Sequence, residues 1–366
     1  MNIPYVNLGA QHQDIKEEIL QAVSDILDSG MFILGEDVEN FEKQFSRLCH
    51  TSYAIGVANG TDALFLSMKA LGIGQGDEVI TAPNSYLASA SSIALAGAKP
   101  VFADVDYHSM NISPAEIEKR ITAKTKAVIP VHLTGRPAEM DAITEIARAH
   151  NLYVIEDAAQ AVGALYKGKP VGSFGDLAAF SLHPLKNLAA CGDAGIITTH
   201  KKEYYDYLLK ARQHGLINRD ETEFWSVNSR LDALQAAILN IKIKKLEEWN
   251  NRRRSIANRY IENLKEVVEV PSYNEDYFPV FHAFMIKTPQ RDRLQNFLKE
   301  KGIDTKIHYP IAIHQQKAAR YLGYSDADLP VTSRLVKEIL SIPVYPELTD
   351  SQVDYIIEQI LNFFKQ

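Results

Sequence analysis

The sequence predicts an α/β fold: a mixed, mostly parallel sheet between helices, followed by a smaller α+β unit. Three observations lead there. Over the first three-fifths of the chain, short β-branched runs ending in turn residues alternate with longer amphipathic stretches, the texture of a crossover-connected parallel sheet. After about Ser229 that texture gives way to a long helical region. The length of 366 residues fits two domains at roughly 150 residues each.

In chain order, amphipathic spacing predicts helices over Asp14–Ser29 and Val38–Cys49. A first strand, Tyr53–Val57, leads through a glycine turn to a helix over Thr61–Ala70. Strand Glu78–Thr81, helix Ser85–Ala96, strand Lys99–Ala103 and helix Pro114–Lys119 continue the alternation. Strand Ala127–Val131 and helix Met140–His150 precede three further strands, Tyr153–Glu156, Ala178–Ser181 and Gly195–Thr198, which complete a set of seven. Asp232 to Leu264 reads as one long helix or as two with a kink. An apolar run Val280–Ile286, a helix Arg291–Lys301, a loop Ile307–His314 and a final helix Ser351–Phe364 make up the rest. The expected division is a large domain of residues 1–245 and a small one of residues 246–366. No repeat, low-complexity tract or Gly/Ser linker separates them, so they are expected to pack closely.

Composition narrows the function. Hydrophobic residues make up 46% and charged residues 23%, with 19 Gly and 15 Pro, which excludes disorder, collagen and coiled coil. Against 46 Asp and Glu stand 39 Lys and Arg, a net charge of −7. That argues against nucleic acid or an anionic membrane as the main partner. A phosphorylated small molecule stays open, because it needs only a local anion site. Two cysteines, Cys49 and Cys191, are too few for a disulfide framework. The start, Met1-Asn2-Ile3-Pro4-Tyr5, has no basic region followed by an apolar core. No run of about 18 apolar residues occurs. A soluble cytoplasmic protein with no membrane partner is the expectation.

Familiar motifs fall away first. Gly72-Ile73-Gly74-Gln75-Gly76 looks like a dinucleotide fingerprint, but it precedes a strand and opens no helix, so it reads as a turn. There is no P-loop, no His-Glu-x-x-His and no clustered Cys/His pair, and the 11 histidines are scattered, so no metal site is expected. Three signals remain. At Val57 to Leu64 a strand ends, a glycine turn at Gly60 follows, and a helix opens with Thr61 and Asp62. This is either a simple cap or an anion cradle of free amides at a positive dipole end. At Leu152 to Gln160 a buried-looking strand ends in Glu156-Asp157. Asp157 either caps the next helix or faces the crevice beyond the strand ends, where open parallel sheets bind ligands. At Phe180 to Asn187 a lone lysine, Lys186, sits in a loop among Leu182, Pro184, Leu185 and Leu188. Loop lysines are usually solvated, yet one among apolar residues is a candidate Schiff-base nucleophile. Together, a phosphate cradle, a carboxylate and a lysine 29 residues beyond it are what pyridoxal phosphate requires.

Here the sequence resembles the DegT/DnrJ/StrS sugar aminotransferases, fold type I pyridoxal-phosphate enzymes. The resemblance runs nearly end to end. It includes Ser29-Gly30-Met31-Phe32-Ile33-Leu34-Gly35, Asn59-Gly60-Thr61-Asp62-Ala63-Leu64, Pro130-Val131-His132-Leu133-Thr134-Gly135 and Glu156-Asp157-Ala158-Ala159-Gln160-Ala161. It continues through Ser181 to Lys186, Gly192-Asp193-Ala194-Gly195, Asn228-Ser229-Arg230-Leu231-Asp232, Ile307-His308-Tyr309-Pro310 and Pro343-Val344-Tyr345-Pro346. The resemblance implies roles. Lys186 is the Schiff-base lysine and proton carrier, Asp157 the partner of the pyridine nitrogen, and Gln160 the partner of the cofactor's phenolate oxygen. Gly60, Thr61 and Ser181 hold the phosphate, and Tyr86 stacks on the ring. Asn228 reaches the phosphate of a neighbouring subunit, which implies a homodimer with shared sites. His183, His308, Tyr309 and His314 fall on the substrate side.

The implied reaction moves an amino group from an amino acid, by family habit L-glutamate, to a keto sugar. Lys186 disfavours the dehydratase branch, which carries His there. Asn187-Leu188 with Gly192-Asp193-Ala194-Gly195 resembles members acting on nucleoside-diphosphate-linked 3-keto sugars of the 6-deoxyhexose type. Leu182-His183-Pro184-Leu185 departs from the Phe-Tyr-Pro-Gly of better-known members, so a 3-keto hexose phosphate or a keto-cyclitol stays open as substrate. A non-catalytic pyridoxal-phosphate sensor is the reading from another class.

Overall fold

The computed structural model describes residues 1–365. Its central sheet has seven strands: β1 (Tyr53–Val57), β2 (Glu78–Thr81), β3 (Lys99–Phe102), β4 (Thr125–Ile129), β5 (Tyr153–Asp157), β6 (Leu177–Ser181) and β7 (Gly195–Thr199). Their spatial order is β1-β7-β6-β5-β4-β2-β3. Every neighbouring pair is parallel except the two that involve β7. The reason is the connection. Parallel neighbours need a crossover of a dozen or more residues, usually helical. Between β6 and β7 the chain instead turns back through an irregular loop, so β7 enters antiparallel. That loop carries Lys186.

The strands are buried on both faces, which is why they read as continuous apolar runs. One face packs Phe41, Phe45, Phe180 and Leu239 together. The other packs Leu64, Leu66, Ile93, Ile155 and Ile197. A separate core lies in the last third, around Tyr260, Phe284, Leu294, Leu340 and Ile356. There β8 (Phe284–Lys287) and β9 (Ile339–Ile342) pair antiparallel against the helices Leu246–Leu264, Arg291–Glu300 and Asp350–Phe364. Ile3 belongs to this core, since its N–H bonds the Gly302 carbonyl at 2.8 Å and the chain start is folded back onto it.

All seven sheet strands lie within two residues of their expected bounds. The long helical region is two helices, Ala233–Lys242 and Leu246–Leu264, joined by a tight turn at Ile243–Lys245. Two elements differ. Helix Ser85–Ala96 starts only at Ala88, because Asn84 and Ser85 spend their side chains on Met110 and Ser89 in the preceding loop. The run from Val280 becomes a strand only at Phe284. Val280 has its backbone partners elsewhere, its N–H on Gly135 and its carbonyl accepting from Asn187. Helices Lys202–Ala211 and Pro330–Glu338 were not expected. Among the described residues, no helix is long and apolar enough to cross a membrane.

Candidate active site

The site forms at the carboxyl ends of β5 and β6. Side chains alternate across a strand, so Glu156 and Asp157 part company. Glu156 points to one face, is fully buried, and accepts from His132 Nε2 at 3.1 Å and from the N–H groups of Gly172, Phe174 and Gly175 at 2.8–2.9 Å. The Ala138 N–H bonds His132 Nδ1 at 2.9 Å, which leaves the ring proton on Nε2, facing Glu156. Burial pushes the Glu156 carboxyl up, but His132 and the amides outweigh it and hold it below the usual range. Asp157 turns to the other face and is buried. Ser89 Oγ donates to its Oδ2 at 2.6 Å, and the Ala159 N–H to its Oδ1 at 3.3 Å. Burial raises Asp157, opposed by those bonds and by Lys186 and His132.

At the end of β1, Asn59 caps the helix Gly60–Ala70 by accepting from the Asp62 N–H at 2.8 Å. The N–H groups of Gly60 and Thr61 have no protein acceptor among the described residues. A Cβ on Gly60 would lie 2.7 Å from Ser181 Cβ, and one on Gly195 would lie 2.4 Å from the Asn59 carbonyl carbon. Glycine at both positions lets the start of the helix press against the ends of β6 and β7. Two free amides at a helix start beside a serine hydroxyl form an anion cradle.

Lys186 lies in the β6–β7 loop, which is closed by Leu182 N–H to Ala194 O and Ala190 N–H to Leu182 O, both 2.8 Å. Leu182 and Leu188 are buried and anchor it, while Leu185 is exposed. Asn187 is buried and donates to Asn250 Oδ1 at 2.8 Å and to Val280 O at 2.9 Å. These bonds fix the backbone that bears Lys186. The Lys186 amino group itself has no hydrogen-bond partner among the described residues. Burial pulls it down to about 8, against the opposing charge of Asp157, so a useful fraction is neutral and nucleophilic near neutrality.

The remaining expected residues are placed as follows. Gln160 Oε1 accepts from the Thr134 N–H at 2.6 Å, which orients the carboxamide. Tyr86 is 58% exposed, and its ring lies 5.8 Å from that of Tyr309. Burial and the nearby Asp157 push the Tyr309 phenol well above its usual value, with Gln160 opposing. His308 bonds Ser341 Oγ through Nδ1 at 2.9 Å and is pushed down to about 4 by burial, Lys186 and Lys306. His183 is exposed, its Nδ1 accepting from the Leu185 N–H. His314 is buried, with its Nε2 near Asp326 and Ser333, and it makes no hydrogen bond to Lys186 or Asp157 among the described residues. Asn228 is exposed, opposite Gln213 on a loop that also carries the 92% exposed Trp225. Sequence reasoning missed Ser89 and His282, and read Asn187 only as a cue to the substrate branch. Burial first, and then the charges of Lys186, Arg253, His308 and His183, push the His282 ring well below its usual value. Ser85 and Ser89, one helical turn apart in the expected helix, were the available signal for the first.

This geometry has close parallels. The profile of the DegT/DnrJ/EryC1/StrS aminotransferase family matches residues 13–361. A protein of Aneurinibacillus thermoaerophilus named dTDP-3-amino-3,6-dideoxy-alpha-D-galactopyranose transaminase is 44% identical over 99% of both chains. A "pleiotropic regulatory protein" of Geobacillus stearothermophilus is 43% identical over 100% of this chain and 99% of its own. The crystal structure of S. venezuelae DesV in complex with a ketimine intermediate superposes with a TM-score of 0.98 at 38% identity, covering 100% of this chain and 99% of that one. The chain belongs to the DegT/DnrJ/EryC1/StrS aminotransferase family. It is an aminotransferase with the fold type I architecture.

Proposed function

We propose that the chain is a pyridoxal-phosphate-dependent transaminase that moves the amino group of an amino acid, L-glutamate by preference, to a nucleoside-diphosphate-linked 3-keto-6-deoxyhexose. The observation that carries this reading is the convergence of Lys186, Asp157 and the Gly60 cradle on one end of the sheet. The cradle fits a phosphate because the Gly60 and Thr61 amides, pressed beside Ser181, have no protein acceptor among the described residues. The buried carboxylate fits a protonated pyridine nitrogen, and the partnerless amine fits a Schiff base.

Gly60, Thr61 and Ser181 would hold the phosphate, Asp157 the ring nitrogen, Gln160 the phenolate oxygen, and Tyr86 a ring face. Asn228 of a second copy would reach the phosphate. When bound, pyridoxal phosphate supplies the electron sink that makes an amino-acid carbon acidic. The protein does the rest. Ser89 and the Ala159 amide donate to Asp157 and oppose the rise that its burial imposes. Lys186, unpaired and lowered to about 8, takes up and delivers the proton at its Nζ. Tyr309 and the nearby wall, with His183 and His308, face the incoming sugar; His314 is retained on the same loop as a substrate-side candidate.

We also read the chain as two units divided at Lys245. The turn Ile243–Lys245 and the separate core of the last third support that division. Soluble character, a cytoplasmic location and a homodimer complete the proposal. The test is an assay of the holoenzyme with L-glutamate and a panel of keto sugars: nucleotide-linked 3-keto sugars, a 3-keto hexose phosphate and a keto-cyclitol. The expected result is turnover fastest on the nucleotide-linked compounds. Turnover confined to the phosphate or the cyclitol would refute the nucleotide, and none at all would favour a cofactor-binding sensor.

A further inference from the structure

Ser229 has no part in the site as described, yet it is fully buried beside the exposed Asn228. Its hydroxyl donates to Asp62 Oδ2 at 2.7 Å and accepts from the Ala58 N–H at 3.2 Å. Both partners flank the cradle. Ala58 follows β1, and Asp62 lies in the first turn of helix Gly60–Ala70. Ser229 and Asp62 are 167 residues apart in the chain. This one side chain therefore joins the segment of Asn228 to the start of the cradle helix.

The segment is the return leg of an arm that leaves the end of helix Lys202–Ala211. The His214 N–H bonds the Val227 carbonyl at 2.8 Å, the Ser229 N–H bonds the Arg212 carbonyl at 2.9 Å, and Gln213 pairs with Asn228. These bonds hold the two legs to each other, not to the sheet. Two side chains hydrogen-bond the arm to the end of β1. On the outgoing leg Arg212 Nη1 donates to Gly56 O at 3.0 Å and to Glu42 Oε1 at 2.6 Å. On the return leg Ser229 does so, directly beside Asn228. The Asn228 carboxamide has no hydrogen-bond partner among the described residues, so its aim follows from where its backbone is held. The cradle itself has other anchors. Asn59 caps its helix, and Gly60 and Gly195 let it press against β6 and β7. Loss of the Ser229 hydroxyl should thus loosen the arm more than the cradle.

We propose that Ser229 is a positioning residue that acts across the dimer: by tying the arm to the start of its own cradle helix, it aims Asn228 at the cofactor phosphate held by the other protomer. The inference rests on the reading of Asn228 as a residue of a shared site. A lesion at Ser229 then weakens cofactor binding in the other protomer's site more than in its own.

The test uses dimers purified from two differently tagged chains, one of them carrying Lys186→Ala, so that only the other, reporting chain can form a Schiff base. Pyridoxal phosphate is titrated, and its dissociation constant at the reporting site is read from the Schiff-base absorbance. The reference dimer has no further change. With Ser229→Ala added to the Lys186→Ala chain, the dissociation constant is expected to rise about fivefold, part of the worth of one hydrogen bond to a charged group. With Ser229→Ala on the reporting chain instead, it should stay within about twofold of the reference. Asn228→Ala added to the Lys186→Ala chain is the control and should raise it about tenfold or more. If Ser229→Ala fails to fold, Ser229→Cys keeps the volume with a weaker donor, and the same contrast is expected. A rise of less than about twofold from the Lys186→Ala chain, or an effect on the reporting chain as large as the one across the dimer, overturns the proposal. A control that leaves the dissociation constant unchanged would instead overturn the reading of Asn228 beneath it.

Discussion

Single residues here are tuned by burial against a few charges, and the sign of each effect can be tested. Lys186 is lowered to about 8 chiefly by burial, and Asp157 opposes that shift. Only the neutral amine attacks an aldehyde. In apo-protein, acetylation of Lys186 is therefore expected to rise with pH through about 8 and then level off. Removing the Asp157 charge in Asp157→Asn takes away a term that favours the ammonium, so the same curve should move to lower pH. Mass-spectrometric quantification of Lys186 acetylation against pH reads both; a curve that stays put or moves up contradicts the assignment. Ser89→Ala removes a 2.6 Å bond to Asp157. A bond to a charged group is worth about 1.5–3 kcal/mol, so the affinity for cofactor, read by fluorescence titration, should fall about tenfold or more. Asp157 and Lys186 were legible in the sequence because each sits at or just past a strand end, where a parallel sheet exposes ligand-facing positions. Ser89 was not, because it acts through Asp157, a residue 68 positions away in the chain.

At the scale of elements, two packed junctions carry the site. The first is the approach of helix Gly60–Ala70 to β6. A methyl group added in Gly60→Ala would lie 2.7 Å from Ser181 Cβ, and such overpacking costs about 1–3 kcal/mol. The cradle must open, so the dissociation constant for pyridoxal phosphate is expected to rise at least about tenfold in a cofactor titration. The second is the Glu156–His132 pair behind β5. Its carboxyl is lowered by its donors despite burial. That stabilisation is complete above the unfolded carboxylate range and is lost as pH falls through the lower, folded value. Glu156→Gln should thus cost about 3 kcal/mol at neutral pH, and the cost should shrink in acid; urea unfolding midpoints at both pH values measure it. The strands were legible because burial on both faces writes continuous apolar runs. Helix Lys202–Ala211 escaped because charges surround its buried stripe of Tyr204, Leu208 and Ala211. The run from Val280 misled because it is apolar like a strand, yet its backbone bonds go to Gly135 and Asn187.

For the whole molecule, the reading requires two copies. Trp225 is 92% exposed, and Met31, Phe32 and Ile33 are 59%, 44% and 48% exposed, an apolar surface suited to burial against a second copy. If Asn228 serves the neighbouring site, Lys186→Ala and Asn228→Ala subunits complement each other. A mixed dimer then places both lesions in one site and leaves the other native. Co-expressed subunits assorting at random should recover about a quarter of wild-type activity, whereas activity no better than either parent would contradict the shared site. The net charge of −7 argued only against polyanionic partners, and two free amides at the sheet end are still able to take a small anion. The most direct test of the central claim is a half-reaction with L-glutamate alone. Holoenzyme freed of excess cofactor is expected to release one 2-oxoglutarate per site as its bound cofactor takes up the amino group, and Lys186→Ala to release none. No keto acid from the wild-type protein with glutamate or any other amino acid, or equal release from Lys186→Ala, would contradict the account.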